Sequence, residues 1–125
     1  MNKKRILVVD DETSITRLLK MNLELLGNYE VREENSGKRA FATAQEFKPD
    51  LILLDVMMPD MDGGDVAAAL RRDPALRKTP VVFLTAAVKQ EELGASKGKI
   101  GGRIYIAKPL NVKGVISVIE QSLGK

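Results

Sequence analysis

Three stretches of four residues, Ile6-Leu7-Val8-Val9, Leu51-Ile52-Leu53-Leu54 and Val81-Val82-Phe83-Leu84, are apolar at every position. A strand with one wet face alternates apolar with polar. An unbroken apolar run this short therefore predicts a strand covered on both sides, as in a parallel sheet between two layers of helices. The intervening segments have helical spacing. Ile15, Leu18, Leu19 and Leu26 fall on one face between Thr13 and Leu26, with Asn22 amid them and Gly27 at the end. Ser36-Gly37 opens a second helix, in which Ala40, Ala44 and Phe47 align before Lys48-Pro49 stops it. Val66, Ala67 and Leu70 mark a third, ending near Asp73-Pro74, and Lys89 to Lys97 a weak fourth with Leu93 as its one large apolar residue. Val112, Val115, Ile116, Ile119 and Leu123 form the clearest stripe of all. Tyr29 to Glu34, poor in apolar residues, suits an edge strand, and Ile104-Tyr105-Ile106 a fifth strand.

Strands and helices alternating at this length build parallel βαβ units with right-handed crossovers. A chain of 125 residues is too short for an eight-stranded barrel. The expectation is a single α/β domain over residues 1–125, an open doubly wound parallel sheet.

Composition removes several chemistries. With no His and no Cys, Ser-His-Asp and Cys-His catalysis, haem ligation by His and the usual zinc sites are excluded. A net charge of +3, with two Tyr, three Phe and no Trp, offers little for stacking on bases, so no direct nucleic-acid binding is expected. No apolar run approaches the roughly 20 residues that span a bilayer, so no membrane contact is expected. Met1-Asn2-Lys3-Lys4-Arg5 is followed by only four apolar residues before Asp10, which is not an export signal. A cytoplasmic setting is the default.

Doubly wound sheets bind ligands beyond the carboxyl ends of their strands. The residues expected there are Asp10-Asp11-Glu12, Asp55, Thr85 and Ala107-Lys108-Pro109. Singly, each has a structural explanation: Asp11 as a helix cap, Asp55 as a turn, Thr85 as a β-branched strand residue, Lys108 as a snorkelling amine. Together Asp10, Asp11 and Asp55, with Thr85 and Lys108, bring three carboxylates, a hydroxyl and an ammonium to one crevice. Clustered carboxylates repel unless positive charge lies among them, and an all-oxygen donor set suits Mg²⁺. Three carboxylates, Mg²⁺ and Lys108 balance in charge and would attract a phosphoryl group, for which a carboxylate can be the nucleophile, giving an acyl phosphate.

ILVVDDE, LILLDVMMPDMDG, FLTAA and IYIAKP, in this order and spacing, resemble the receiver domain of two-component response regulators of the chemotaxis-regulator type, and the likeness covers the whole chain. The resemblance implies a flavodoxin-like (βα)5 fold with strand order 2-1-3-4-5, and Mg²⁺-dependent phosphorylation of Asp55 by a histidine kinase or phosphotransfer protein. By position, Asp11, Asp55 and the Met57 backbone carbonyl would ligate Mg²⁺, with Asp10 acting largely through water. Lys108 would pair with the phosphoryl oxygens ahead of a cis peptide at Pro109. Thr85 would hydrogen-bond the phosphoryl group and move inward, and Tyr105 would follow as a rotamer switch. The signalling face would comprise the fourth helix, fifth strand and fifth helix, directed at an unknown output protein; a phosphorylation-dependent homodimer is one form it could take. No residues remain for a DNA-binding segment, so a switch acting by protein contact is expected, rather than a turnover enzyme. Met57 and Ala87, at two variable positions flanking the site, lack polar groups to orient water, which implies slow loss of phosphate.

Some features stand apart from this resemblance. Ile100-Gly101-Gly102-Arg103 occupies a place where the family more often has Gly-Ala and acidic residues. Six Lys/Arg lie between Val88 and Lys113 against Glu91 and Glu92, a solvated surface or, on a sharper interpretation, a dock for an acidic partner. Two other classes stay open. An Mg²⁺-dependent phosphohydrolase with an aspartyl nucleophile wants a second carboxylate where Met57 stands, and a phosphorylation-independent interaction module would keep the fold only.

Overall fold

The computed structural model describes residues 3–86, 99–100 and 103–124. Its elements are β1 (Lys4–Val9), α1 (Thr13–Leu25), β2 (Tyr29–Glu34), α2 (Gly37–Phe47), β3 (Leu51–Asp55), α3 (Gly63–Arg72), β4 (Val81–Thr85), β5 (Lys99–Ile100), β6 (Arg103–Ala107) and α4 (Val112–Ser122). The sheet order is β2-β1-β3-β4-β6-β5. All pairings are parallel except β5 with β6. The five parallel strands thus run in the expected order 2-1-3-4-5, with β6 as the fifth, and the fold is flavodoxin-like.

Alternation explains why the central strands are apolar throughout. Ile6, Val8, Leu51, Leu53, Val82 and Leu84 point to one face and pack with Leu19 and Leu23 of α1 and Val115 and Ile119 of α4. Leu7, Val9, Ile52, Leu54 and Phe83 point to the other, onto Ala40, Ala44 and Phe47 of α2 and Val66, Ala67 and Leu70 of α3. Successive residues feed two separate cores, and a polar residue at either parity would be buried. Each large apolar side chain so placed contributes about 1.5–3 kcal/mol.

Three expectations are revised. In α1 the buried residues are Thr16, Leu19 and Leu23, while Leu18 and Leu26 are 42% and 50% exposed. Steps of three and four residues from Thr16 reach Leu19 and Leu23, and this line, with a polar member, faces the sheet. Thr16 is tolerated there because its hydroxyl donates to the Thr13 carbonyl at 3.1 Å and accepts from Asn35 Nδ2 at 3.0 Å. Second, β2 is an edge strand but contributes fully buried Tyr29 and Val31 to the core. Third, β5 has only two residues, too few for periodicity to show. The available signal was Gly-Gly between Ile100 and Arg103, a two-residue hairpin spacing. The helix expected over Lys89 to Lys97, and Ala87, lie outside the described residues. No helix among the described residues is long and apolar enough to cross a membrane.

Candidate functional site

β1 lies between β2 and β3, so chain order reverses between β1 and β3 and leaves a crevice at their carboxyl ends. Asp10 follows β1 and Asp55 is the last residue of β3. Register places Asp55 opposite Leu84 and Thr85 opposite Ala107, so the ends of β3, β4 and β6 are nearly level. The Lys108 amide donates to the Thr85 carbonyl at 2.8 Å, anchoring the chain past β6, and the Lys108–Pro109 peptide is cis, as expected.

The sheet thereby collects the predicted acids. Asp10, Asp11 and Asp55 each offer a carboxylate oxygen, all within 4.8 Å of one another. Asp10 and Asp55 are buried, at 0% and 4% exposure, whereas Asp11 faces solvent. Lys108 Nζ reaches across to Asp10 Oδ2 at 2.9 Å, Glu12 Oε1 at 3.1 Å and Asp55 Oδ1 at 3.4 Å. Sequence reasoning gave Glu12 no role, yet it is the ammonium's third partner. Its adjacency to Asp10-Asp11 was the available signal. Thr85 is buried at the end of β4. Tyr105 is half-buried and stacks on Phe83, with ring centroids 5.3 Å apart. Met57 is 72% exposed beside the crevice.

Burial raises the Asp55 carboxyl to about 6; the charge of Asp10 adds to the rise, and Lys108 only partly offsets it. Asp10 is raised too, chiefly by burial, against the Glu12 amide and Lys108. For Lys108, burial works downward, but its bonds to Asp10 and Glu12 and the charges of Asp10 and Asp55 push it up. Asp10 Oδ1 accepts from the Glu12 amide at 2.9 Å, while buried Oδ2 is ion-paired to Lys108 without an aligned hydrogen-bond donor. Four acids around one amine, two of them resisting ionisation and one with an undirected buried oxygen, fit a hard divalent cation with oxygen ligands. The open side at Asp11 leaves room for water on such an ion.

The chain beyond Asp55 turns back tightly. The Val56 amide donates to the Leu84 carbonyl at 3.0 Å and the Gly63 amide to the Val56 carbonyl at 2.9 Å. A Cβ on Gly63 would lie 2.3 Å from the Asp55 carbonyl oxygen, so only glycine allows this approach.

Comparison with known proteins agrees with this geometry. The family model for the response regulator receiver domain matches residues 6–120. The alkaline phosphatase synthesis transcriptional regulatory protein PhoP of Bacillus subtilis (strain 168) is 45% identical over 124 residues, 98% of this chain and 49% of that protein. The transcriptional regulatory protein ResD of the same strain is 44% identical over 123 residues, again 98% and 49%. The chain spans about half the length of the curated relatives it matches. Among solved structures, the chemotaxis protein CheY4 of Vibrio cholerae superposes with a TM-score of 0.81 at 30% identity, covering 96% of this chain and 98% of that one. The receiver domain of the sensor histidine kinase PA1611 from Pseudomonas aeruginosa PAO1, with a magnesium ion coordinated in its active-site cleft, gives 0.81 at 25% identity, covering 98% and 99%.

Proposed function

Since this chain belongs to the response regulator receiver domain family, we propose that it is a signalling switch that accepts a phosphoryl group on Asp55 from a histidine kinase or phosphotransfer protein. The observation that carries this is the convergence of Asp10, Asp11 and Asp55 within 4.8 Å, with Lys108 bridging Asp10 and Asp55. In this reading residues 1–125 form one receiver unit working in the cytoplasm.

An Asp55 carboxylate oxygen attacks the phosphorus of the donor phosphohistidine. The O–P bond forms as the N–P bond breaks, the imidazole leaves with the electron pair, and Asp55 becomes an acyl phosphate. Mg²⁺, held by Asp11, Asp55 and the Met57 carbonyl with Asp10 behind water, would when bound neutralise charge on the phosphoryl oxygens. Burial of Asp55 keeps its carboxylate poorly solvated and so reactive. Lys108, shared between carboxylates beforehand, gains a dianionic partner, and Thr85 turns its hydroxyl toward a phosphoryl oxygen. Movement of these two is passed to Tyr105 and to the face of β6 and α4, where an output protein or a second copy would dock. The domain itself touches no nucleic acid in this reading, and magnesium-dependent turnover of free substrates is not its role.

Intact mass after incubation with acetyl phosphate and Mg²⁺ tests the acceptor. The wild type should gain one phosphoryl group and Asp55→Asn none; no gain in the wild type, or equal gain in the variant, overturns the assignment. Steady release of phosphate from a small ester would instead favour the hydrolase. The phosphoryl group should persist for minutes or longer without a phosphatase, because exposed Met57 offers only a thioether beside the acceptor. Decay within seconds, followed by mass, would contradict this.

A further inference from the structure

We propose that Asp60 is a positioning residue for this site, latching the loop that carries Met57 onto the amino terminus of α2. The inference rests on the reading of Asp55 as phosphoacceptor. Residues 56–62 leave β3 and return at Gly63, and their base is closed by the Gly63–Val56 hydrogen bond. At the far side of the loop, Asp60 Oδ2 accepts from Ser36 Oγ at 2.6 Å and from the Lys38 amide at 3.2 Å, and Oδ1 accepts from the Gly37 amide at 3.1 Å. Among the described hydrogen bonds, these are the ones that tie residues 58–61 to another element.

The contact is built from both sides. Ser36 occupies the N-cap position of α2 but its side chain makes no capping bond to its own helix. The unpaired amides of the first turn are served instead by a carboxylate from a different loop, which the positive end of the helix also attracts. A Cβ on Gly37 would lie 2.7 Å from the Met61 carbonyl oxygen, so glycine is what permits the approach. The Ser36 amide is in turn held by Glu34 Oε2 at 3.0 Å, and Glu34 Oε1 accepts from Thr43 Oγ1 at 2.6 Å, which fixes the receiving end. Met57 lies between Asp55 and this latch, next to Met58, which packs in the core, and releasing Asp60 removes the hydrogen-bonded hold on the span that sets where the Met57 carbonyl points. A metal ligand supplied by backbone depends on such outer support.

The test compares Asp60→Ala with Asp60→Asn and with Asp73→Ala. Asp73 is another capping aspartate, half-buried, accepting from the Ala75 amide at 2.7 Å and Gln45 Nε2 at 3.0 Å, beyond α3 and outside the site. Phosphorylation by acetyl phosphate is followed by intact mass against Mg²⁺ concentration, and amide hydrogen exchange is measured on the metal-free proteins. Asp60→Ala should raise the Mg²⁺ needed for half-maximal rate about tenfold and speed exchange at Met57 and Met58. Asp60→Asn, which keeps one acceptor oxygen, should restore part of both, and Asp73→Ala should change neither. An unchanged Mg²⁺ dependence in Asp60→Ala, or exchange quickened only at Gly37 and Lys38, overturns the proposal and leaves Asp60 a helix cap. A wild type that takes no phosphoryl group defeats the reading of Asp55, and the exchange data still decide whether the latch holds the loop.

Discussion

Asp55 and Asp60 sit on one connection, and their surroundings drive them in opposite directions. Asp55 is buried beside another acid, so loss of water and the repulsion of Asp10 outweigh Lys108 and its carboxyl rises to about 6. Asp60 is exposed and bonded to Ser36, Lys38 and Gly37, and those hydrogen bonds hold it down to about 2. One carboxylate is satisfied where it stands; the other is short of positive charge. The difference teaches that the crevice is held by the fold against its own electrostatics, which is the condition under which a metal ion or a phosphoryl group can change it.

The largest effect should come from deepening that shortage. Lys108→Met leaves Asp10 and Asp55 without their shared ammonium, and should destabilise the metal-free protein by about 2–4 kcal/mol at pH 7. Because the Asp55 carboxyl is already raised to about 6, the loss should shrink as pH falls through that value and Asp55 takes up a proton. Urea unfolding across that range checks it, and a loss independent of pH would mean that Lys108 contributes packing rather than charge.

Next in size is relief of the shortage. Asp55 binds its proton more tightly folded than unfolded, so it opposes folding once ionised; the metal-free wild type should lose stability as pH rises from about 4 to about 6 and then level off. Asp55→Asn should flatten most of that slope, leaving the part that comes from buried Asp10, and be more stable than the wild type by about 1–3 kcal/mol at pH 7. Millimolar Mg²⁺ should narrow the gap by stabilising only the wild type. A variant less stable than the wild type at pH 7 without metal would break the comparison.

The smallest effect has the opposite sign. Asp60 binds its proton less tightly folded than unfolded, so its contribution is present above pH 4 and is lost as pH falls through about 2. Asp60→Asn should flatten the acid limb of the stability curve below pH 4 and leave the slope between pH 4 and 6 intact. Denaturation curves for the two asparagine variants should therefore differ in which limb they lose.

Much of the fold was legible because burial on two faces leaves a mark on every residue of a strand. Leu51 to Leu54 admit no other economical explanation, and α4 declared itself through Val115 and Ile119. Strand order was different: it followed from the resemblance, since periodicity says nothing of which strands are neighbours. The inward face of α1 was misjudged because Thr16 pairs its hydroxyl locally and with Asn35, so a polar residue could take a core position that Leu18 and Leu26 do not. At the site, Asp10, Asp11, Asp55 and Lys108 were found from their places at strand ends. Glu12 was placed at a strand end without a role and Asp60 was not placed at all, since each acts through a partner remote in sequence, Lys108 in one case and Ser36 to Lys38 in the other.

What the amino-acid order determined by itself was local: where strands and helices lie, that His and Cys chemistry is absent, and that acids and one lysine terminate the strands. What only the tertiary structure decided was mutual: that Asp10, Asp11 and Asp55 come within 4.8 Å of one another, that a single ammonium serves Asp10, Glu12 and Asp55, and that a loop is pinned to a helix begun twenty-odd residues earlier. The reason is that propensity and burial pattern act over a few residues of chain. Charge interactions and desolvation depend on distance in space, and that distance exists only once the parallel sheet has aligned its ends.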